Sequence, residues 1–393
     1  MKLRQIGAAL IFLAVFLGVL GSAHYYLVSR IALQPQWPEG VANGVVATLI
    51  LGFGVLVVQG LLRRRLGVVS KLLSWVAYIW LGFLFYVFIL TAFSELAKVA
   101  LQLVPDAIDP VSFARGRALG IVGLSLAITA IAVRRGLAPP THKRIEVSID
   151  GLPPEFDGFS IVQISDIHIG PLLDRRFAQH LTDRVNALKP DLVAVTGDLV
   201  DGRVEQLRSE VEPFRDVSAQ HGVFFVTGNH DFYSGADDWV ECVTGFGWQV
   251  LRNRSVTITS GTGASFDLVG VDDPHGAMLD GVGSEDLESA LQNTSDNNVL
   301  ILLAHDPATF RRTRKTRVAL QLSGHTHGGQ IWPFGWAVRA SVPWVAGLYR
   351  DGTNQIYVSC GTGFWGPPMR FGTEAEITEL ILKVGGEDGA AAS

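Results

Sequence analysis

Five short polar clusters in this chain each follow an apolar run. Asp166-Ile167-His168 follows FSIVQIS, and Asp198 follows LVAVTG with Asp201 three residues on. Asn229-His230-Asp231 follows VFFVTG, His305-Asp306 follows VLILLA, and His325-Thr326-His327 follows VALQLSG. Singly, an Asp-x-His or a Gly-Asp is usually an exposed turn, and a lone His305 reads as a surface or core histidine. Together they hold five of the chain's ten histidines, and packing does not explain Asp, Asn or His at five separate run ends. The set offers nitrogen and oxygen atoms and no thiolate, which suits Mn, Fe, Zn or Mg. It is large enough for two divalent metal ions, and a carboxylate such as Asp198 can bridge a pair. Two ions about 3.5–4 Å apart clamp a phosphoryl group for in-line displacement and bring the pKa of a bridging water toward ~7. A side chain must then protonate the leaving oxygen. His230 is the best placed, because it neighbours a ligand without being needed as one.

The elements that must position these residues are visible in the same stretches. Apolar runs near 160–164, 192–196, 223–227, 267–271, 299–303, 318–322, 356–359 and 377–382 predict strands. Residues 177–188 and 284–292 have helical spacing or a helix-start signature. Such alternation predicts a layered α/β domain, and the carboxyl ends of its strands are where ligands bind.

In order, Asp166-Ile167-His168, Gly197-Asp198-Leu199-Val200-Asp201, Gly228-Asn229-His230-Asp231, His305 and Gly324-His325-Thr326-His327 resemble the calcineurin-like metallophosphoesterase superfamily, over residues 146–385. The longer stretch Gly324-His325-Thr326-His327-Gly328-Gly329-Gln330, with Cys360-Gly361-Thr362-Gly363 and Arg370-Phe371-Gly372 downstream, is similar to its bacterial membrane-associated phosphodiesterase branch. The resemblance implies a four-layer α/β/β/α sandwich. It implies that Asp166, His168 and His327 hold one metal, that Asn229, His305 and His325 hold a second, and that Asp198 bridges them. It implies His230 as the general acid, oriented by Asp201. Arg370, Arg339, Arg350 and Trp365 are read either as pocket residues or as packing.

The first third of the chain is of another kind. Runs at 6–27, 41–62, 72–93 and 118–133 contain no Asp, Glu, Lys or Arg, and a bilayer core of about 30 Å takes about 20 such residues in a helix. Lys2 and Arg4 with Gly21-Ser22-Ala23 resemble a cleaved signal, but the apolar stretch is long and further spans follow, so it reads as a retained helix. The expected organisation is a transmembrane region over 1–140, a catalytic domain over 141–385 and a disordered tail over 386–393. Ten basic positions (Lys2, Arg4, Arg63, Arg64, Arg65, Lys71, Arg134, Arg135, Lys143, Arg144) fall on one side of the four spans, against Arg30, Lys98, Arg115 and Arg117 on the other. By the positive-inside bias the catalytic domain is cytoplasmic, on a bacterial inner membrane.

Composition agrees with this division. The mean hydropathy is +0.30 and 48% of the residues are hydrophobic, an excess concentrated before residue 136. A net charge of −5 gives no reason to expect a nucleic-acid partner. Cys242 and Cys360 are too few for a disulfide framework or a Cys-rich zinc site. The leading expectation is a membrane-anchored phosphodiesterase or pyrophosphatase whose partners are the membrane and a phosphate ester, lipid or lipid-linked. One alternative is a phosphomonoesterase or nucleotide phosphodiesterase merely tethered there. Another is a sensor or transporter with a regulatory domain, although the spans lack the charges of a transport path.

Overall fold

The computed structural model describes residues 3–62, 67–101, 109–276 and 284–385. The expected tail 386–393, and Lys2, Arg63, Arg64 and Arg65 among the basic residues, lie outside the described residues. The chain divides into two compact units, residues 1–134 with 366–369, and residues 135–365 with 370–393.

The first unit contains α1 (Leu3–Leu27), prolonged by a π-helical turn over Val28–Leu33, then α2 (Glu39–Leu62), α3 (Val68–Leu101) and α4 (Pro110–Gly136). Among the described residues, four stretches are long and apolar enough to cross a membrane: Ala14–Leu33, Glu39–Leu62, Val68–Leu96 and Pro110–Gly136. The last is longer than the run at 118–133 because the helix continues through its flanking arginines. It starts where Asp109 accepts the Ser112 N–H at 2.8 Å, with Pro110 at the first position, where a missing N–H costs nothing. Glycine permits close helix packing here: a Cβ at Gly52 would collide with the Trp80 indole. Three of the four basic residues expected on the less basic side, Arg30, Arg115 and Arg117, make polar contacts within this unit. Arg117 donates to Glu95 at 2.6 Å, Arg30 lies 3.5 Å from the same oxygen, and Arg115 donates to the Pro35 and Gln36 carbonyls.

The second unit is built from twelve strands among its described residues. They are β1 (Thr141–Ile149), β2 (Ser160–Ile164), β3 (Leu192–Thr196), β4 (Val223–Val226), β5 (Gln249–Val250), β6 (Arg254–Thr259), β7 (Ser265–Gly270), β8 (Leu300–Leu303), β9 (Val318–Ser323), β10 (Gly347–Asp351), β11 (Asn354–Val358) and β12 (Glu376–Val384). One sheet has the order β1-β12-β2-β3-β4-β5 and the other β10-β11-β9-β8-β7-β6. In the first, β2 through β5 run parallel. In the second, β7, β8, β9 and β11 do.

Side-chain alternation makes the layers. Leu192, Ala194, Phe224 and Val226 point from the first sheet into a shared core with Leu268, Ile301, Leu303, Leu320 and Leu322 of the second. Their neighbours Val193, Val195 and Phe225 point outward, onto Leu181 and Val185 of the helix Arg175–Ala187 and onto Trp239. On the far side, Val269, Leu300 and Leu302 pack on Leu287 and Ala290 of the helix Leu287–Leu291. The result is the expected α/β/β/α sandwich. Interior strands buried on both faces read as mostly apolar runs, with a single polar residue such as Gln163 or Gln321 inside some of them, which is why eight of them were visible in the sequence. The four that were not, β1, β5, β6 and β10, are the four sheet edges.

Candidate metal centre

The five polar clusters meet at one rim of this sandwich. Asp166 and His168 follow β2, Asp198 follows β3 and Asn229 follows β4, all in the first sheet. His305 follows β8, and His325 and His327 follow β9, in the second. The loops are cross-linked by backbone bonds: Asp166 N–H donates to Gly197 O, His168 N–H to Asp198 O, and Gly324 N–H to His305 O. Five of these seven residues, Asp166, His168, Asp198, His325 and His327, have φ between 50° and 70°. A non-glycine residue in that left-handed region costs of order 1–3 kcal/mol, so the fold holds them against a local preference. Two glycines make room: a Cβ at Gly197 would sit 2.6 Å from His305 Nδ1, and one at Gly228 would strike the Asp198 carboxylate.

The side-chain atoms converge in three overlapping groups: Asp166, His168 and His327; His168, Asp198 and His230; and Asp198, His305 and His325. Within each group the ligand-type atoms lie within 4.8 Å of one another. Asp198 Oδ1 accepts the His230 N–H at 2.8 Å, while Oδ2 lies 3.2 Å from His305 Nε2 and 3.7 Å from His168 Nε2. His168 Nε2 is also 3.1 Å from His327 Nε2, and His325 Nδ1 is 3.0 Å from Asn229 Oδ1 and 3.3 Å from His305 Nε2.

Outer hydrogen bonds fix what those atoms carry. The Thr196 carbonyl, 2.7 Å from His305 Nδ1, can only accept, so Nδ1 bears a proton and Nε2 is the ring atom turned toward the Asp198 carboxylate. His168 does the same, with its Nδ1 on Asp201 Oδ1 at 3.0 Å. An Nε2 set against a carboxylate oxygen or a second Nε2 needs a proton or a metal ion between them, and this pattern of backing is how proteins orient metal-binding histidines. Asp166 Oδ2 and His327 Nδ1 are moreover buried without a hydrogen-bond partner. The residues therefore fit divalent ions.

Electrostatics points the same way. Burial pushes the Asp198 pKa up, but His305, His230 and His168 together hold it well below the usual carboxylate range. Burial pushes His305 down, and Asp198 overrides this and raises it well above the ordinary histidine value; a proton stands where a cation would. His327 is lowered by burial and by the neighbouring His168 and Arg370, so it is neutral and free to ligate. His230 is opposed by burial yet raised to about 9 by the Asp198 charge and the Asp201 hydrogen bond. That bond, from Nδ1 to Asp201 Oδ1, is 2.6 Å long. Asp201 Oδ1 thus accepts from two histidines, His230 and His168.

Three supports were not singled out as such in the sequence. Asp231 is buried and accepts the backbone N–H groups of Gly228, Asp198 and Leu199 at 2.8–2.9 Å. It clamps the loops after β3 and β4, and its place three residues past Gly228 is the signal. Asp273 holds His275 Nδ1 at 2.8 Å, and the His275 ring stacks beside His325 at 6.0 Å. This pair lies just past β7, another strand end bearing Asp and His. Arg370 is fully buried, and its Nη atoms donate to Gly363, Gly361, Glu374 and His327 carbonyls at 2.6–3.4 Å. It ties loops together and lines no open pocket. Arg339 and Arg350 are exposed, and half-exposed Trp365 packs edge-on to His230 with ring centroids 5.9 Å apart.

Residues 159–329 match the family described as calcineurin-like phosphoesterase. A bovine "transmembrane protein with metallophosphoesterase domain" is 38% identical over 67% of this chain and 61% of its own length. An "uncharacterized metallophosphoesterase" of Helicobacter pylori is 33% identical over 70% of this chain and 75% of its own. One from Bacillus subtilis is 35% identical over 59% and 82%. The chain spans less than two thirds of the bovine relative and of a zebrafish protein of the same description, at 61% and 62% of their lengths.

Proposed function

Because the chain belongs to the calcineurin-like metallophosphoesterase family, we propose that it is a membrane-anchored phosphoesterase with a two-metal centre, acting on a phosphodiester or pyrophosphate carried at the membrane surface. The observation that carries this reading is Asp198 Oδ2, approached from two sides by His305 and His168. In it, Asp166, His168 and His327 would hold one ion, Asn229, His305 and His325 would hold the other, and Asp198 lies within reach of both sets. Bound ions supply charge for the phosphoryl oxygens and a water-derived nucleophile at neutral pH.

The chain's own residues do the rest. As water oxygen joins phosphorus and the ester P–O bond breaks, His230 gives its Nε2 proton to the leaving oxygen. Its Nδ1 stays on Asp201, which keeps the ring in place and stabilises its charged form. The four apolar stretches and the transmembrane description of the vertebrate relatives support anchoring, and the bias of basic residues supports a cytoplasmic domain.

The test uses the purified full chain. Bis-p-nitrophenyl phosphate should be hydrolysed with added Mn²⁺, and protein prepared without chelator should carry up to two ions. Full activity after stripping with EDTA would sink the proposal. For orientation, a reporter fused after Ser393 should be active only in its cytoplasmic form. Cys360 is a poor probe for that purpose, since burial and the nearby Glu376 push its thiol up to about 12 and leave little thiolate to label.

A further inference from the structure

The water-facing unit buries its aromatic side chains except in one place. Among its described residues, the exposed aromatics are Tyr233, Trp332, Phe334, Trp336 and Trp365. Tyr233 and Trp365 flank His230, with ring centroids 5.3 and 5.9 Å away. Gln330, three residues beyond His327, holds the Trp365 backbone by two hydrogen bonds of 2.8 and 2.9 Å. Trp332 and Trp336 meet edge-on at 5.6 Å. The five side chains therefore form a rim that starts at the acid and continues along the segment after the ligand loop.

That segment ends in the helix Phe334–Ser341, none of whose residues is buried. A helix of a water-soluble domain normally buries an apolar stripe; here Phe334 and Trp336 are 46% and 63% exposed. Trp and Phe with an arginine, Arg339, on one short helix is the composition of an element lying in a membrane interface, aromatic rings at headgroup depth and the cation near lipid phosphates. The same chain supplies the membrane. It has four stretches apolar enough to cross one, and only residues 137–140 separate α4 from β1, so a lipid surface is always within covalent reach.

We propose that this aromatic rim seats in the headgroup layer of the bilayer and presents a lipid-borne phosphate ester to His230 and the metal-ligand set. The inference rests on the reading of a membrane-carried substrate and names its class, an ester whose apolar tail stays in the bilayer.

Two measurements on the full chain in phosphatidylethanolamine–phosphatidylglycerol nanodiscs separate the seat from the substrate. In a Cys242→Ser, Cys360→Ser background, Trp336→Cys and Glu241→Cys each carry an environment-sensitive fluorophore; Glu241 is exposed on the helix Ala236–Thr244. Doxyl-labelled lipid should quench the label at 336 several-fold more than the one at 241. Equal quenching overturns the seat, and so does protection of the 336 label from both the lipid quencher and aqueous iodide, which would mean a protein partner. In the cysteine-intact chain, Phe334→Ser with Trp336→Ser should lower turnover of a phospholipid diester roughly tenfold, the scale of weakened interfacial partitioning, and leave bis-p-nitrophenyl phosphate turnover unchanged. Loss on both substrates or on neither overturns the proposal. Quenching at 336 with no lipid turnover by the unmutated chain would support the seat and overturn the lipid-ester reading.

Discussion

In the helical unit, Thr48, Ser74, Thr91 and His24 each bond the carbonyl four residues back in their own helix. In the α/β unit, His168 meets His327 across 159 residues, His305 meets Thr196 across 109, and His325 meets Asn229 across 96. The short bonds satisfy a polar group where it stands and aim nothing at a ligand. The long ones draw five loops to one place and leave Nε2 lone pairs and a carboxylate oxygen pointing at each other. An arrangement that only a cation or a set of protons completes is a candidate metal site, and its elements come from both sheets. On the proposed reading the helices supply location and the sheet rim supplies chemistry.

The largest break expected is at the atom both ligand groups share. Asp198→Asn leaves the side chain's size and removes its charge, so both sets lose their common anion. Metal content should fall toward zero, and turnover of bis-p-nitrophenyl phosphate should drop roughly a thousandfold or more. Elemental analysis beside the assay checks this. A variant that keeps two ions and most of its activity would show that convergence at Asp198 is incidental.

A step smaller is the proposed proton donor, His230. General acid catalysis contributes typically about 10²–10⁴ in rate, and matters most when the leaving oxygen is a poor one. His230→Asn should keep its metals, lose little on nitrophenyl esters, and lose most of that factor on alkyl esters. Equal losses on the two substrates would reject the acid role. Asp201→Asn should behave differently, because Asp201 Oδ1 also holds the candidate ligand His168 at 3.0 Å. It should lower metal occupancy as well, which Asn at 230 should not.

Arg370 tests whether long-range convergence needs positioning from outside the ligand set. Arg370→Met removes four hydrogen bonds to loop carbonyls, two of them beside His327 and Gly361. Leaving buried carbonyls unpaired should destabilise the domain by about 3 kcal/mol, seen as a lower Tm in detergent. Metal affinity should fall roughly 10–100-fold, as for other groups that hold ligands in place, with KM for a saturating-metal assay little changed. Arg370→Lys should recover part of the affinity; an unchanged metal titration in Arg370→Met would reduce Arg370 to packing.

How much of this was legible in the sequence follows from burial. The eight interior strands carry mostly apolar side chains on both faces, so each reads as an apolar run, and the polar clusters that end five of them stand out. Edge strands lose that signature. In β1 the buried residues are Val147 and Ile149 alone, and its first four positions, Thr141 to Arg144, read as a polar linker, yet the whole strand pairs with β12. The ligand candidates were legible for the same reason as the interior strands, and Asp273–His275 past β7 was written in the same form. Arg370 was visible as a residue and not as a clamp, because carbonyl oxygens leave no mark in a sequence. The left-handed backbone at Asp166, His168 and Asp198 likewise has no residue signature, since the fold imposes it.

The smallest effect is expected in the helices, and it decides whether they do chemistry. His24 and Gln59 are the buried polar side chains among the described helical residues that most invite a transport or sensing role. His24 spends Nδ1 on Leu20 O at 2.8 Å, and its buried Nε2 has no partner. Gln59 reaches Tyr78 with a long contact of 3.4 Å. An unpaired polar atom in an apolar setting is a cost, so His24→Phe removes a liability along with one bond and should be near neutral. Hydrogen bonds between membrane helices average only about 0.6 kcal/mol, so Gln59→Leu should shift stability by less than about 1 kcal/mol. Turnover of a soluble ester should stay within about twofold in both. If either variant instead lost activity tenfold at unchanged metal content and Tm, a polar group in the helices would be coupled to the rim. The helical unit would then be a working part of the protein, and the division of labour drawn from the two bonding patterns would fail.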